Sequence, residues 1–486
     1  MRSLRALFGP TLRTKRGSVS DIEAAARLGL AHYRRQQRKR SAGGKNDDNR
    51  AIRALDRFAR HKSRALLKRM KKGKRPQFRK SLLLHSRYSE SLLASGLYID
   101  RKKRWVPILK RRPDDRFAQL ELKNFSFVDH PEHTLRLFQS ILEFEGQAIE
   151  AQLHFDDEYC QDVAAYLVLA EMWPAMARVF RNGRMSHSIQ KVLETLNLRD
   201  DLSMRLLGLK DTKDIWAFPK RTRRPAGSSQ GKNRDLLPQP REKVADEFVQ
   251  ALDDWLGVCT DEFALTKHAK AHFASIIGEL LDNAERHSSA PSKDGGWSTA
   301  AFLVKRREGD KDVFRCYMGF LSVGASISDS MGYASVRMRA KVNQYLDRHR
   351  NSGISRETLR TVVAMQDGVT RDNDAEFHQR GGVGLQEVLD LVNALGYTSD
   401  AENGPRLTIV SGRSCIKARY PYIFGRHTEG KGMRTLWFNR ENDPMEPPDR
   451  EFVFDLENNF PGTIIGITFV FSKDDLKAAI DANKSE

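Results

Sequence analysis

Glu279 and Asn283 are the pair of side chains whose types and spacing could do chemistry on a phosphate. Residues four apart on a helix stand one turn from each other and converge on the same ligand. An amide oxygen suits Mg²⁺, a hard cation that shares its oxygen ligands with phosphate groups. A neighbouring carboxylate can orient or deprotonate a water aimed at a terminal phosphoryl group. Further along, Arg380-Gly-Gly-Val-Gly-Leu-Gln386 opens a second helix. Its glycines let the backbone approach phosphates closely, and the free N–H groups of a helix start favour an anion. Each pattern alone also describes a solvated helix face or a turn, so their order along the chain carries the argument.

The elements that must position these residues are legible as periodicities. A helix from about Thr266 to His287 has Phe273, Ile276, Ile277, Leu280, Leu281 and Ala284 on one buried stripe, with Glu279 and Asn283 on another face. A helix from about Val244 to Leu256 precedes it. Ala300 to Lys305 and Val313 to Val323 read as two antiparallel strands, the second running into Gly324-Ala-Ser-Ile-Ser. A helix through Leu395, a strand over Arg406 to Gly412 and a last strand over Pro461 to Phe469 follow.

In this order the motifs resemble the histidine kinase-like (GHKL) ATPase superfamily, which also holds gyrase, heat-shock chaperone, mismatch-repair and anti-sigma-factor kinase ATPases. Glu279-Leu-Leu-Asp-Asn283 looks like its N box, with Glu279 in the base position and Asn283 in the Mg²⁺ position. Gly382-Val-Gly384-Leu385 looks like its second glycine box, and Gly462-Thr463 resembles the pair before its final strand. The resemblance implies a Bergerat-type two-layer α/β sandwich with a mixed sheet over residues 244–472. It implies ATP and Mg²⁺ as ligands, Arg371 or Arg380 reaching the phosphates, and a long mobile lid between Asp329 and Arg380. The first glycine box departs from the family: its adenine-binding Asp aligns with Ser322 in Ser322-Val-Gly324-Ala-Ser326. Three readings follow. Ser322 bonds adenine through a water, Asp329 takes over the acidic role, or the site binds nucleotide weakly or takes another base.

Upstream, strand, helix, strand and helix alternate over residues 113–215: strands within Gln119–Val128, a helix over Pro131–Phe144, a strand over Ala151–Phe155 and a helix over Tyr159–Val179. With a closing helix from Ser188 to Leu198 the order resembles a STAS domain, the fold of bacterial anti-anti-sigma factors. No phosphoacceptor Ser or Thr stands near residues 156–162, and a generic α/β interaction domain is the other reading. Residues 216–243, rich in Pro, Gly, Ser and charge, read as a linker, and residues 473–486 as a tail. The expected class is thus α/β (α+β), with a basic helical arm over residues 1–112 in front.

The formal net charge of +20 is concentrated in that arm, where residues 31–80 carry 20 Lys and Arg against three acidic residues. Arg50 to Met70 has the spacing of an amphipathic basic helix. Such a segment neutralises phosphates and points to nucleic acid or another anionic partner, or else to a solvated arm. No apolar run is long enough to span a bilayer, and the N-terminus lacks the core and cleavage site of a secretion signal, so a cytoplasmic protein is expected. The four cysteines are far apart and read as ordinary thiols.

Three functions remain open. One is an Mg-dependent ATPase switch that regulates a protein partner, with Glu279 as general base; the resemblance also allows a homodimer. Another is an ATP-dependent kinase acting on a separate protein, because His268 and His272 share a helix with Glu279 and cannot serve as its own acceptors. The third is a non-catalytic nucleic-acid or protein binder with a degenerate nucleotide site, towards which the basic segment and Ser322 lean.

Overall fold

Val163–Met176 is apolar on nearly every face, with Glu171 its one charged residue, and such a helix is stable only if most of its surface is covered. The computed structural model describes residues 50–74, 91–98, 118–147, 149–177, 179–202, 212–224, 240–260, 264–288, 295–308, 311–369, 384–396, 403–427 and 434–471, with isolated residues between 23 and 34 and at 398. Before the first sheet the described residues include a 22-residue helix, α1 (Arg50–Lys71), and a short one, α2 (Leu92–Leu97). The first sheet is parallel, in the order β1 (Ala118–Leu122), β2 (Ala151–Phe155), β3 (Phe180–Arg184). Its crossovers are α3 (Pro131–Gly146) and α4 (Val163–Met176), and α5 (His187–Thr195) and α6 (Leu198–Asp201) follow. Strand β3 has no expected counterpart, because Phe-Arg-Asn-Gly-Arg lacks the alternation that marks a strand.

The second sheet has five strands in the order β4 (Ile215–Arg223), β5 (Gly296–Glu308), β6 (Lys311–Val323), β10 (Val453–Phe471), β7 (Arg406–Ala418), with β8 (Arg426–His427) and β9 (Arg434–Thr435) as a separate pair. Every neighbouring pair is antiparallel, so the expected mixed sheet is corrected. The β5–β6 hairpin and the long return into β10 leave no parallel neighbours. The pleat sends alternate side chains to opposite faces. Ala300, Phe302, Tyr317, Ile464 and Val410 join the core shared with α4, while Leu303, Met318, Ile465 and Ile409 join a second core. That second core is covered by α7 (Arg241–Cys259), α8 (Lys267–His287), α10 (Val336–Arg348), α11 (Arg356–Ala364) and α12 (Gly384–Leu395), with α9 (Ile327–Met331) at the end of β6.

Helix α4 lies between the two sheets. Gly319 and Gly466 stand opposite each other on β6 and β10. A Cβ at Gly319 would sit 2.9 Å from the Ala164 nitrogen and the Val163 side chain, and one at Gly466 would sit 2.8 Å from Val128. A bare Gly319 lets the first turn of α4 reach the sheet, and a bare Gly466 makes room for Val128 in the loop before that helix.

Three domain expectations change. Residues 215–223 are edge strand β4 rather than the start of a linker: Phe218 packs on Phe248 with ring centroids 4.9 Å apart, while Pro219 and its cations fall where an edge tolerates them. The rest of that linker, residues 225–239, and the tail from 472 lie outside the described residues. Within the supposed arm, α2 buries Leu93, Ala94 and Leu97 in the α4 core, and a Cβ at Gly96 would fall 2.5 Å from Pro461. Residues 336–369, expected as mobile lid, are packed: Met338, Tyr345, Leu359 and Val362 are buried, and Asp455 accepts hydrogen bonds from the Ser355 N–H at 2.8 Å and the Thr358 hydroxyl at 2.6 Å. No helix among the described residues is long and apolar enough to cross a membrane.

The loop over residues 123–130 ends β1 earlier than its apolar residues suggest, because two buried carboxylates take its N–H groups. Asp157 accepts from Asn124 at 2.8 Å and Phe125 at 2.9 Å; Asp162 accepts from Phe127 at 2.7 Å and caps α4 through Ala164 at 2.8 Å. Burial pushes the Asp162 carboxyl up to about 6 from 3.8, against the pull of those backbone donors. The folded chain therefore holds this proton more tightly than the unfolded chain, so its contribution to stability is full below about pH 4 and is lost as pH rises through about 6. Denaturant titrations at closely spaced pH values should show this decline in the wild type and a flatter curve for Asp162→Asn; an identical slope in both would overturn the assignment.

Candidate functional site

Helix α8 starts at Thr266, whose hydroxyl accepts the Ala269 N–H at 3.1 Å, and its apolar stripe docks Ile276, Ile277, Leu280 and Leu281 on the sheet. Its polar residues then divide into two sets. Asp282 pairs with Arg241 at 2.5 Å and Arg286 at 2.7 Å. Glu285 pairs with Arg241 and Arg223, each at 3.3 Å, and accepts the Trp297 indole N–H at 2.9 Å. These groups hold α8 to α7 and the sheet edge. Glu279 and Asn283 form no hydrogen bond or ion pair among the described residues and line a cavity of ≈ 1060 Å³, counted out to its open mouth.

The opposite wall is the sheet. Trp297, Ser322, Thr463 and Ser411 form one row across β5, β6, β10 and β7, and the first three line the cavity. Thr463 and Ser411 share a hydroxyl hydrogen bond of 2.7 Å, and Ser411 also accepts the Ile327 N–H at 2.8 Å. Leu385, in the first turn of α12, closes one end, and Met331, Met365 and Val369 contribute apolar wall.

Five of the expected site residues thus converge: Glu279, Asn283, Ser322, Leu385 and Thr463. Gly384 begins α12 beside Leu385. Gly324 is a correction, since it is exposed and does not line the cavity. Its φ of +142° and the 2.0 Å that would separate a Cβ from the Ser288 carbonyl make it a packing glycine where β6 meets the end of α8. Gly462 is alike, with φ +144° and a Cβ position 2.1 Å from the Ser322 carbonyl. Asp329 does not supply an acid to the cavity: it is exposed, and with Ser326 it forms a capping box on α9. Arg371, Arg380 and Gly382 lie outside the described residues.

Two contributors escaped the sequence reading. Trp297 follows from hairpin register, which sets it opposite Ser322 once the β5–β6 turn is known. Glu387 had no local signal, because only the docking of α12 brings its charge towards Glu279. Burial, then Glu387, then Asp282, raise the Glu279 carboxyl above its ordinary value, and Arg286 and Arg241 offset them in part. A carboxylate shifted this way is a better proton acceptor near neutral pH.

No protein-family model matches the chain, and neither does any curated protein or solved structure.

Removing a like charge must ease ionisation of Glu279. Glu387→Gln should therefore lower the Glu279 midpoint in a carboxyl ¹³C NMR titration. An unmoved midpoint would show that the two carboxylates do not sense each other.

Proposed function

We propose that the cavity binds ATP with Mg²⁺ and serves as an ATP-dependent switch, with slow hydrolysis assisted by Glu279. The observation that carries this reading is the uncommitted Glu279–Asn283 pair, facing a cavity whose other wall holds Ser322 and Thr463 and whose end holds the first turn of α12. Among the described residues no three His, Cys, Asp or Glu side chains are grouped to hold a metal. A cation at this site would therefore take most of its oxygens from phosphate and water, which is the habit of Mg²⁺. Asn283 fits as its one protein amide ligand. When bound, Mg²⁺ neutralises charge building on phosphate oxygens.

Glu279 would accept a proton from the attacking water, and its raised carboxyl suits that task. The start of α12 would face the phosphates with free N–H groups. The α/β unit of residues 118–202 is packed on the reverse face of the strands that carry Ser322 and Thr463, which supports an output through that unit to a protein partner. The cations of α1 give the chain a separate means of engaging an anionic partner, nucleic acid included.

Calorimetric titration of ATP and Mg²⁺ should give micromolar binding to the wild type and at least about tenfold weaker binding to Asn283→Ala, a loss of ~1.4 kcal/mol. Glu279→Gln should keep the affinity and lose turnover by about 10²- to 10⁴-fold. A wild type that binds no nucleotide, or a Glu279→Gln variant with full turnover, would remove the proposal.

A further inference from the structure

Resting on the nucleotide reading, we infer that the base-recognising end of the cavity accepts purine nucleoside triphosphates carrying either an amino or an oxo group, ATP and GTP alike, through the Ser322 hydroxyl. The cavity has a polarity along α8. Glu279 is the one ionisable residue that lines it among the described residues, and its electrostatic neighbour Glu387 places this charged end beside the first turn of α12. Ser288, at the C-terminal end of α8, lies about 14 Å further along at 1.5 Å per residue. There the Ser288 carbonyl accepts the Ala325 N–H at 2.9 Å, three residues beyond Ser322 on β6. The neutral end is thus the Ser322 end. The cation belongs at the carboxylate end and would bring the phosphates with it, which leaves the base for the neutral end.

Most hydroxyls of that neutral end are already committed. Ser288 donates to the Ala284 carbonyl at 2.6 Å and Ser330 to the Ile327 carbonyl at 2.8 Å. Ser298 is bonded to Thr222 at 3.1 Å, Thr463 to Ser411 at 2.7 Å, and Ser326 accepts the Asp329 N–H at 3.0 Å. Ser322 alone has no partner among the described residues, although it is only 8 % exposed. Its residue lines the cavity, where water can satisfy the hydroxyl, and a ligand group that donates or accepts can take the place of that water. On either side in the row, the Trp297 N–H is spent on Glu285 and the Thr463 hydroxyl on Ser411, so no fixed donor or acceptor competes with Ser322.

A hydroxyl rotor both donates and accepts. It can accept from an exocyclic amine or turn its proton to a ring carbonyl, and both purines satisfy it. Strong discrimination arises where a site's fixed polar group is left unpaired by the wrong ligand, and Ser322 is left unpaired by neither. A carboxylate at this position would accept from the amine and repel the carbonyl oxygen.

The test is titration of ATP and GTP, each with Mg²⁺, into the full-length wild type, Ser322→Asp and Ser322→Ala, with thermal unfolding to verify that each variant is folded. The wild-type dissociation constants should agree within about tenfold, Ser322→Asp should favour ATP by about 100-fold, and Ser322→Ala should weaken both nucleotides without changing their ratio. Wild-type preference for one purine above about 100-fold, or a ratio that moves in Ser322→Ala, overturns the inference and leaves nucleotide binding standing. Binding of neither nucleotide to folded wild type removes the nucleotide reading and this inference together. Should Ser322→Asp fail to fold, the wild-type ratio and Ser322→Ala decide the matter.

Discussion

Helix Val163–Met176 can bury its apolar faces only if its first turn reaches the backbone of the antiparallel sheet; Gly319 permits that contact, and Gly466 beside it admits the Val128 side chain of the preceding loop. The energy at stake is large, since burying each Val, Leu or Met side chain is worth about 1.5–3 kcal/mol. Once the helix is seated, the parallel sheet covers its far side and α2, α3 and the long antiparallel sheet enclose the remainder. The loop at residues 123–130 is then held in place by Asp157 and Asp162, and Arg406 pairs with Asp129 at 2.7 Å to pin the same loop to β7. The antiparallel sheet is left one free face, and the second core, with its cavity, is built there.

On that second face the arrangement of charge separates structure from chemistry. Asp282 and Glu285 are each shared between two cations, and such pairing keeps the end of α8 registered against β4 and α7. Glu279 lies one turn nearer the helix start, out of reach of those arginines for direct pairing, and meets Glu387 as well. An unpaired carboxylate with a like charge nearby adds nothing to stability. Perturbed carboxylates of this kind cluster where a ligand or a reaction uses them.

The long α8 stripe and the hairpin strands were legible in the sequence because their periods of 3.6 and 2 run unbroken for many residues. The convergence of Glu279, Asn283, Ser322, Leu385 and Thr463 followed from motif order alone. Tertiary context hid the rest. Strand β4 looks like linker because an edge strand may carry Pro219 and three cations, and β3 has too few apolar residues to declare itself. Gly324 looks ligand-facing in the sequence because a glycine's type does not say whether a ligand or the protein's own backbone approaches it. For Gly324 it is the Ser288 carbonyl. The stretch after Asp329 looked like a mobile insertion because of its many charges. Its two helices are nevertheless amphipathic: Ser355 at the start of α11 is bonded to Asp455, buried Thr361 to Ser414, and Arg356 pairs with Asp347 of α10.

Two rows of the antiparallel sheet define how its faces can affect each other. The cavity row of Trp297, Ser322, Thr463 and Ser411 lies three residues along β6 and β10 from the row Ala300, Gly319, Gly466 and Thr408, and the two rows face opposite ways. Three residues of strand are about 10 Å, well inside the reach of a rigid, fully paired sheet. The glycine row has no slack, because its backbone already touches α4. Close-packed interiors transmit such displacements instead of absorbing them. If ligand binding draws β6 and β10 together at Ser322 and Thr463, the contact that must respond first is that between Gly319, Gly466 and the start of α4. Arg419 and Thr408 hold the adjoining Val128 carbonyl at 2.6 and 2.9 Å, so the movement would be carried into the loop at the C-terminal edge of the parallel sheet. The wiring needed by the proposed switch is therefore short and lies inside one sheet.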